Sequence, residues 1–252
     1  MFTLCAAYVR SGNNNTVIKQ AVISAGGLGT RLRPITDTMP KPMIPILGKP
    51  MLEWHVEQFK KHGVKEFFFT LHYLPEVVMD YFGDGSRFGI KINYFVEKEP
   101  LGSIGAIKKF EGQLDKIFYY IYGDTFSLLD YSKMFEEYTQ KKNPIGMQLM
   151  KRTDDYDADV AELDRDGRFV EIHSKPRTKK YPNAYRMRGV FIFDKEVLSY
   201  APEDTVFDLG RELLPKLISA GENFYSYECD DYSKGIDTVE KLKEVITFLN
   251  KH

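Results

Sequence analysis

The stretch that decides the reading is AVISAGGLGTRLRPITDTMPKPMIPILGKP, residues 21–50. An apolar, strand-like run opens into Gly26, Gly27 and Gly29. Five prolines follow, at positions 34, 40, 42, 45 and 50, and Arg31 and Lys41 stand among them. Glycine has no Cβ, so backbone N–H groups in such a turn can approach a ligand closely and point at it. That suits phosphate. Proline fixes φ and removes chain entropy. A loop stiffened in this way can aim two cations at one polyphosphate with little ordering cost. The P-loop pattern G-x-x-x-x-G-K-[ST] is absent. The dinucleotide pattern G-x-G-x-x-G also fails, because Leu32 stands where the third glycine would be. A dinucleotide oxidoreductase is therefore disfavoured.

Outward from this loop, apolar runs alternate with helical patterns. KQAVISA, KEFFFTLHY, IKINYFVEK, KIFYYIYGD and PIGMQLMKR read as strands. Between them PMLEWHVEQFKKHG, LPEVVMDYFGDG, SIGAIKKFEGQL and DYSKMFEEYTQKK read as helices; in the first, Leu52, Val56 and Phe59 share a face. This rhythm predicts an α/β fold with a mainly parallel sheet covered by helices on both faces. Ligands on such sheets bind beyond the carboxyl ends of the strands. The glycine cluster sits at one such end and Tyr122-Gly123-Asp124 at another. The second half has a different pattern. There ADVAELDRDGRFVEIHSKP reads as a hairpin turning at Asp166-Gly167, and RMRGVFIFD as a strand. TVFDLGRELLPKLISAG and TVEKLKEVITFLNKH read as helices. A smaller α+β part packed on the first sheet is expected, without linker, repeat or added β-helical domain.

The bulk numbers agree with one domain of 252 residues, 43% hydrophobic. Residues 1–17, with SGNNNT, read as a flexible leader rather than a signal peptide. No apolar run reaches the ~18 residues that span a bilayer. Net charge is -1, which argues against a polyanion binder, so neither nucleic acid nor a membrane is an expected partner. Cys5 and Cys229 make neither a disulfide framework nor a metal knuckle, and a reduced, cytoplasmic setting is the plain expectation. His55, His62, His72 and His173 show no metal-ligand spacing. The acidic run 154–166 lacks the EF-hand pattern and reads as a solvated edge. Phe67, Phe68 and Phe69 read as buried sheet.

GGLGTRLRPITDTMPKP resembles the signature of the sugar-1-phosphate nucleotidyltransferases, the nucleotide-sugar pyrophosphorylases. The resemblance runs from about Ile18 to the C-terminus. EKEPLGSIGAI (97–107) is similar to that family's base-recognition stretch, and Tyr122-Gly123-Asp124 to its metal-binding Gly-Asp. HSKP (173–176) sits where Glu-Lys-Pro is usual, and YSKGIDTVEKL (232–242) where an Asp-Ile-Gly-Thr type of motif is usual. The resemblance implies a Rossmann-like, glycosyltransferase-A-like nucleotidyltransferase fold, with residues 18–125 binding nucleotide and 126–252 binding sugar phosphate.

It also implies a reaction: a sugar phosphate oxygen attacks the α-phosphorus of a nucleoside triphosphate in line, and pyrophosphate leaves. Arg31 and Lys41 would be catalytic, Arg31 on the leaving pyrophosphate and Lys41 on the α-phosphate. Ala25, Gly26, Gly27, Gly29 and Thr30 would cradle the triphosphate, and Glu97, Gly102 and Ser103 would lie along base and ribose. Lys175, with Ser174, would hold the sugar phosphate. Asp124 would ligate Mg²⁺, the expected cofactor. For the second metal ligand, position 235 is a glycine, and Asp237 is the favoured substitute. Ser174 replaces a glutamate that usually bonds sugar hydroxyls, which alters the sugar pocket. The partners are then a nucleoside triphosphate, with GTP favoured, and a manno-configured hexose or heptose 1-phosphate; a homodimer is compatible. The alternatives are thymidylyl or uridylyl transfer to glucose 1-phosphate, and a non-catalytic nucleotide-sugar-binding regulatory subunit.

Overall fold

β1 (Gln20–Ser24) runs down the middle of a nine-stranded sheet, its apolar centre Ala21–Ile23 paired with Phe67–Phe69 on one side and Tyr119–Ile121 on the other. A computed structural model of the chain describes residues 17–152, 158–176, 179, 181 and 185–251. Except for Val17, the expected leader lies outside the described residues. The glycine-and-proline loop after β1 is made of three short 3-10 turns, at Thr30–Leu32, Ile35–Asp37 and Lys41–Met43. A small ribbon, β2 (Pro45–Ile46) and β3 (Lys49–Pro50), then leads into α1 (Met51–Lys61). β4 (Glu66–Leu71), α2 (Pro75–Phe82), β5 (Lys91–Val96), α3 (Gly102–Lys108) and β6 (Ile117–Tyr122) complete the first half of the described chain. β1, β4, β5 and β6 are mutually parallel, as the alternation predicts.

The sheet is buried on both faces, and the pleat shows how. Ala21 and Ile23 of β1, Phe67 and Phe69 of β4, and Tyr119 and Ile121 of β6 enter one core. Their neighbours Val22, Phe68, Phe118 and Tyr120 enter the core on the other face. Successive strand side chains point to opposite faces, so a continuous apolar run needs a cover on each side. On the first face α1 supplies it: Leu52, Val56 and Phe59 are fully buried, and the Phe59 ring centroid lies 4.1 Å from that of Tyr131. Each such aromatic contributes ~1.5–3 kcal/mol on burial.

The second half extends this sheet rather than packing upon it. β7 (Thr125–Ser127) and α4 (Tyr131–Gln140) precede β8 (Gly146–Arg152), and β9 (Val160–Leu163) and β10 (Phe169–His173) form the expected hairpin. β11 (Tyr185–Asp194) runs antiparallel to β6 and carries β8 and β9 with it. The predicted helix in TVFDLGRELLPKLISAG starts late. It is a π-type turn at Leu209–Leu213 followed by α5 (Leu214–Ser219). The backbone N–H groups of Gly210 and Arg211 bond to Asp208 Oδ1 at 3.0 Å, so Asp208 caps its start. β12 (Phe224–Glu228) then adds beside β8, β13 (Ser233–Gly235) pairs with β7, and α6 (Val239–Leu249) closes the described chain.

A third apolar cluster sits under the loops rather than under the sheet. It joins Leu32, Ile44, Ile46, Met51, Phe126, Ile236, Leu242 and Val245. Leu32 follows Arg31 and Ile236 precedes Asp237, while Ile44 and Phe126 lie within three residues of Lys41 and Asp124. One buried cluster thus anchors the backbone beneath four charged side chains from three distant parts of the chain.

Candidate active site

The loop after β1 turns back because Gly29 adopts φ +64°. A Cβ there would stand 2.9 Å from Thr36 Cγ2 and 3.2 Å from Lys41 Cβ, so only glycine fits. The Thr36 hydroxyl donates to the Gly29 carbonyl at 2.9 Å and fixes the turn. Gly27 differs: a Cβ would meet nothing within 4 Å, so its surroundings are open space. Ala25, Gly27, Gly29, Thr30, Arg31 and Lys41 line a cavity of about 290 Å³ beyond the end of β1.

Lys41 is buried, and its ammonium donates to Asp124 Oδ2 at 2.7 Å. Arg31 is exposed, and its guanidinium donates to Asp237 Oδ2 at 2.9 Å. The two carboxylates are brought together by the ribbon of β7 and β13, in which Thr125 pairs with Gly235. The Ile236 N–H also bonds to the Asp124 carbonyl at 2.8 Å. Gly235 is thereby a ribbon residue, and Asp237 is the acid that reaches the site. Burial alone would raise the Asp237 carboxyl; the Lys241 hydrogen bond and charge, then the Arg31 charge, outweigh it and hold the group below its usual range. The acid stays ionised at neutral pH.

A second cavity, of about 650 Å³, opens beside the same carboxylates. Arg31, Tyr122, Asp124 and Asp237 line both cavities and form the wall they share. The larger cavity reaches Ser174 and Lys175, both exposed, and the Lys175 N–H is held by Asp159 Oδ1 at 2.9 Å. Gly189 of β11 lets the strand press close: a Cβ there would stand 2.5 Å from Thr125 Oγ1 and 2.6 Å from Tyr122 Cδ2.

Three residues expected on the base have structural partners in the fold. Glu97 is buried, but its Oε2 accepts from the Leu101 N–H at 2.8 Å, and burial raises its carboxyl above the usual range. Ser103 Oγ donates to Asp208 Oδ2 at 3.2 Å and accepts from the Leu209 N–H at 2.8 Å. Gly102 packs on the Phe207 backbone, where a Cβ would stand 2.8 Å from the carbonyl oxygen. None of these three, nor Gly26, lines either cavity. Sequence reasoning missed Gln148, Arg188 and Asp208, which do line the larger one. The three-residue cluster Glu162, Glu171 and His173 lies on the β9–β10 hairpin, apart from the shared wall.

Residues 20–251 match the family model described as nucleotidyl transferase. The chain belongs to that family. It is 44% identical over 180 residues to the D-glycero-alpha-D-manno-heptose 1-phosphate guanylyltransferase of Campylobacter jejuni, an alignment covering 71% of this chain and 78% of that protein. It is 34% identical over 247 residues to the UTP–glucose-1-phosphate uridylyltransferase of Synechocystis, covering 90% of this chain and 63% of that one. The chain thus spans a little under two thirds of the latter's length. The crystal structure of HddC from Yersinia pseudotuberculosis, complexed with GMP-PN, is 27% identical and superposes with a TM-score of 0.75 over 92% of this chain and all of that one. The likeness places the mainly parallel sheet and its flanking helices among nucleotidyltransferase folds of the glycosyltransferase-A-like type. No helix among the described residues is long and apolar enough to cross a membrane.

Proposed function

We propose that the protein transfers a nucleotidyl group from a nucleoside triphosphate to a sugar 1-phosphate, releasing pyrophosphate. One observation carries this: two cavities meet at a wall made of Arg31, Asp124 and Asp237. In-line attack at phosphorus needs donor and acceptor on opposite sides of one charged centre, and little covalent help from the protein. The triphosphate lies in the smaller cavity against the open backbone at Gly27. Arg31, a planar fork, neutralises the pyrophosphate as it leaves. Lys41 stabilises the charge that grows on the α-phosphate oxygens as the new P–O bond forms and the old one breaks. Lys175 holds the incoming phosphate in the larger cavity.

Asp124 and Asp237 fit a magnesium ion: both are carboxylates, a hard oxygen set, and they face the space where phosphate oxygens would complete the coordination. Magnesium, when bound, supplies positive charge to those oxygens. Lys41 and Arg31 already pair with the two acids, so each cation is poised to exchange a carboxylate for a phosphate oxygen when substrate and metal arrive.

Guanine is the favoured base. The heptose 1-phosphate guanylyltransferase at 44% identity and the structure solved with GMP-PN support it; the uridylyltransferase relative keeps uracil as the second reading. The test is kcat/KM for GTP, UTP, dTTP and CTP with mannose 1-phosphate and glucose 1-phosphate. GTP is expected to lead by about tenfold or more, the discrimination that one unpaired buried polar group gives. Preference for UTP or dTTP rejects guanine and leaves the transfer reaction standing.

A further inference from the structure

We infer that the acceptor carries a second anionic group besides its reacting phosphate, and that Arg188 on β11 receives it. The inference rests on the reading of the larger cavity as the acceptor site. Arg188 lines that cavity, is half-buried, and among the described residues its guanidinium has no hydrogen-bond or ion-pair partner; its Nε is buried without one. Arg186, two residues earlier on the same strand, lines the cavity too. Burial lowers the Arg188 guanidinium below its usual range, and the Arg186 charge lowers it further. A cation in a half-dry wall is unfavourable until an anion lies before it.

The acids of the cavity do not serve that purpose. Asp124 and Asp237 pair with Lys41, Arg31 and Lys241. Asp208 accepts from Ser103 and two backbone N–H groups, and Asp159 holds the Lys175 N–H. The reacting phosphate already has Lys175. Arg188 is therefore a surplus charge in the cavity, on the strand whose next residue, Gly189, packs against Tyr122 and Thr125, and its place is fixed. Buried Gln148 donates to the Arg188 carbonyl at 2.8 Å, and β11 bulges against β8 between Met187 and Phe191. A neutral sugar hydroxyl would accept a hydrogen bond without neutralising the charge. A carboxylate or a second phosphate does both, and the guanidinium fork fits either.

Calorimetric titration of the magnesium-loaded protein with glucose 1-phosphate, glucuronic acid 1-phosphate and glucose 1,6-bisphosphate tests this. At least one of the doubly anionic compounds is expected to bind tenfold or more tightly than glucose 1-phosphate. Which one leads tells a carboxylate from a phosphate. In Arg188→Gln that preference ratio collapses toward one, and Arg188→Lys recovers part of it; thermal melts of both variants verify the fold. Equal affinity for all three compounds overturns the inference while leaving the acceptor site intact. So does an Arg188→Gln loss that is the same for all three, because Arg188 then holds their shared phosphate. Binding of none of them overturns the acceptor reading itself, and the inference with it.

Discussion

Replacing Lys41 by methionine separates a catalytic cation from a structural one. The Lys41 side chain is 10% exposed, and its partner Asp124 is 41% exposed. Stranding a charge in a dry site costs ~3–5 kcal/mol. Here the stranded group is Asp124, and at that exposure water replaces the lost ammonium. The ion pair is then worth about 1 kcal/mol or less. Methionine keeps most of the stem's packing in the buried part. The expected loss of stability is therefore about 1 kcal/mol, or roughly 2–4 °C in Tm for a chain of this size. Catalysis should suffer far more. Removing one donor aimed at developing charge costs about 10²–10³ in kcat, ~2.7–4 kcal/mol. The assay is pyrophosphate release at saturating substrates, beside a thermal melt and triphosphate titration. A kcat within about threefold of wild type, worth only ~0.65 kcal/mol, refutes the reasoning. So does a fall in activity that tracks a Tm loss of ten degrees or more.

Asp124→Asn should lose the magnesium activation of pyrophosphate release and, because it leaves the buried Lys41 ammonium without its carboxylate, should melt below the wild type; an unchanged activation curve would make Asp124 a turn residue only. Lys175→Ala should raise KM for the sugar phosphate at least tenfold more than KM for the triphosphate, read from initial rates; equal effects would remove Lys175 from the acceptor side. The fourth prediction concerns pH. Burial pulls the His55 imidazole down to about 4, against a hydrogen bond to the Gly123 backbone and the Asp124 charge, which raise it. The unfolded chain binds that proton near pH 6.5, so His55's contribution to stability is complete above that value and is lost as pH falls toward 4. Between pH 7 and 5 this amounts to about 2 kcal/mol. Urea midpoints should fall less steeply over that window for His55→Gln; parallel profiles would show that another group governs acid stability.

The alternation of apolar runs and helical faces made the parallel half of the fold legible. Local propensity and burial agree there, as at Phe67–Phe69, which feed two cores in turn. Arg31 and Lys41 stand out in a stiffened loop, the resemblance adds Asp124 at a strand end, and the fold lines one cavity with all three. Other features depend on distant pairing. The β7–β13 ribbon has only three residues a side, too short for any periodicity, yet it brings Asp237 to Asp124. Asp237 was favoured over Gly235 from the resemblance, not from spacing. Nothing in RMRGVFIFD marks Arg188, because a buried Nε without a partner is a property of the folded chain. Glu97 and Ser103 were expected on the base because of their stretch. In the folded chain their polar atoms meet Leu101, Asp208 and Leu209, which only the three-dimensional path of residues 205–209 reveals.

The most direct test of nucleotidyl transfer at the shared wall is ³¹P NMR of the protein with magnesium, GTP and mannose 1-phosphate, repeated with UTP and glucose 1-phosphate. With a matched pair, the γ- and β-phosphate signals of the triphosphate should give way to free pyrophosphate. A diphosphate-bridged sugar nucleotide should appear in equal amount, and neither product should form when the sugar phosphate or magnesium is omitted. Nucleotide binding with no conversion, for every pairing of triphosphate and sugar 1-phosphate, glucuronic acid 1-phosphate and glucose 1,6-bisphosphate included, would contradict the transfer reaction and leave a binding protein on the same fold.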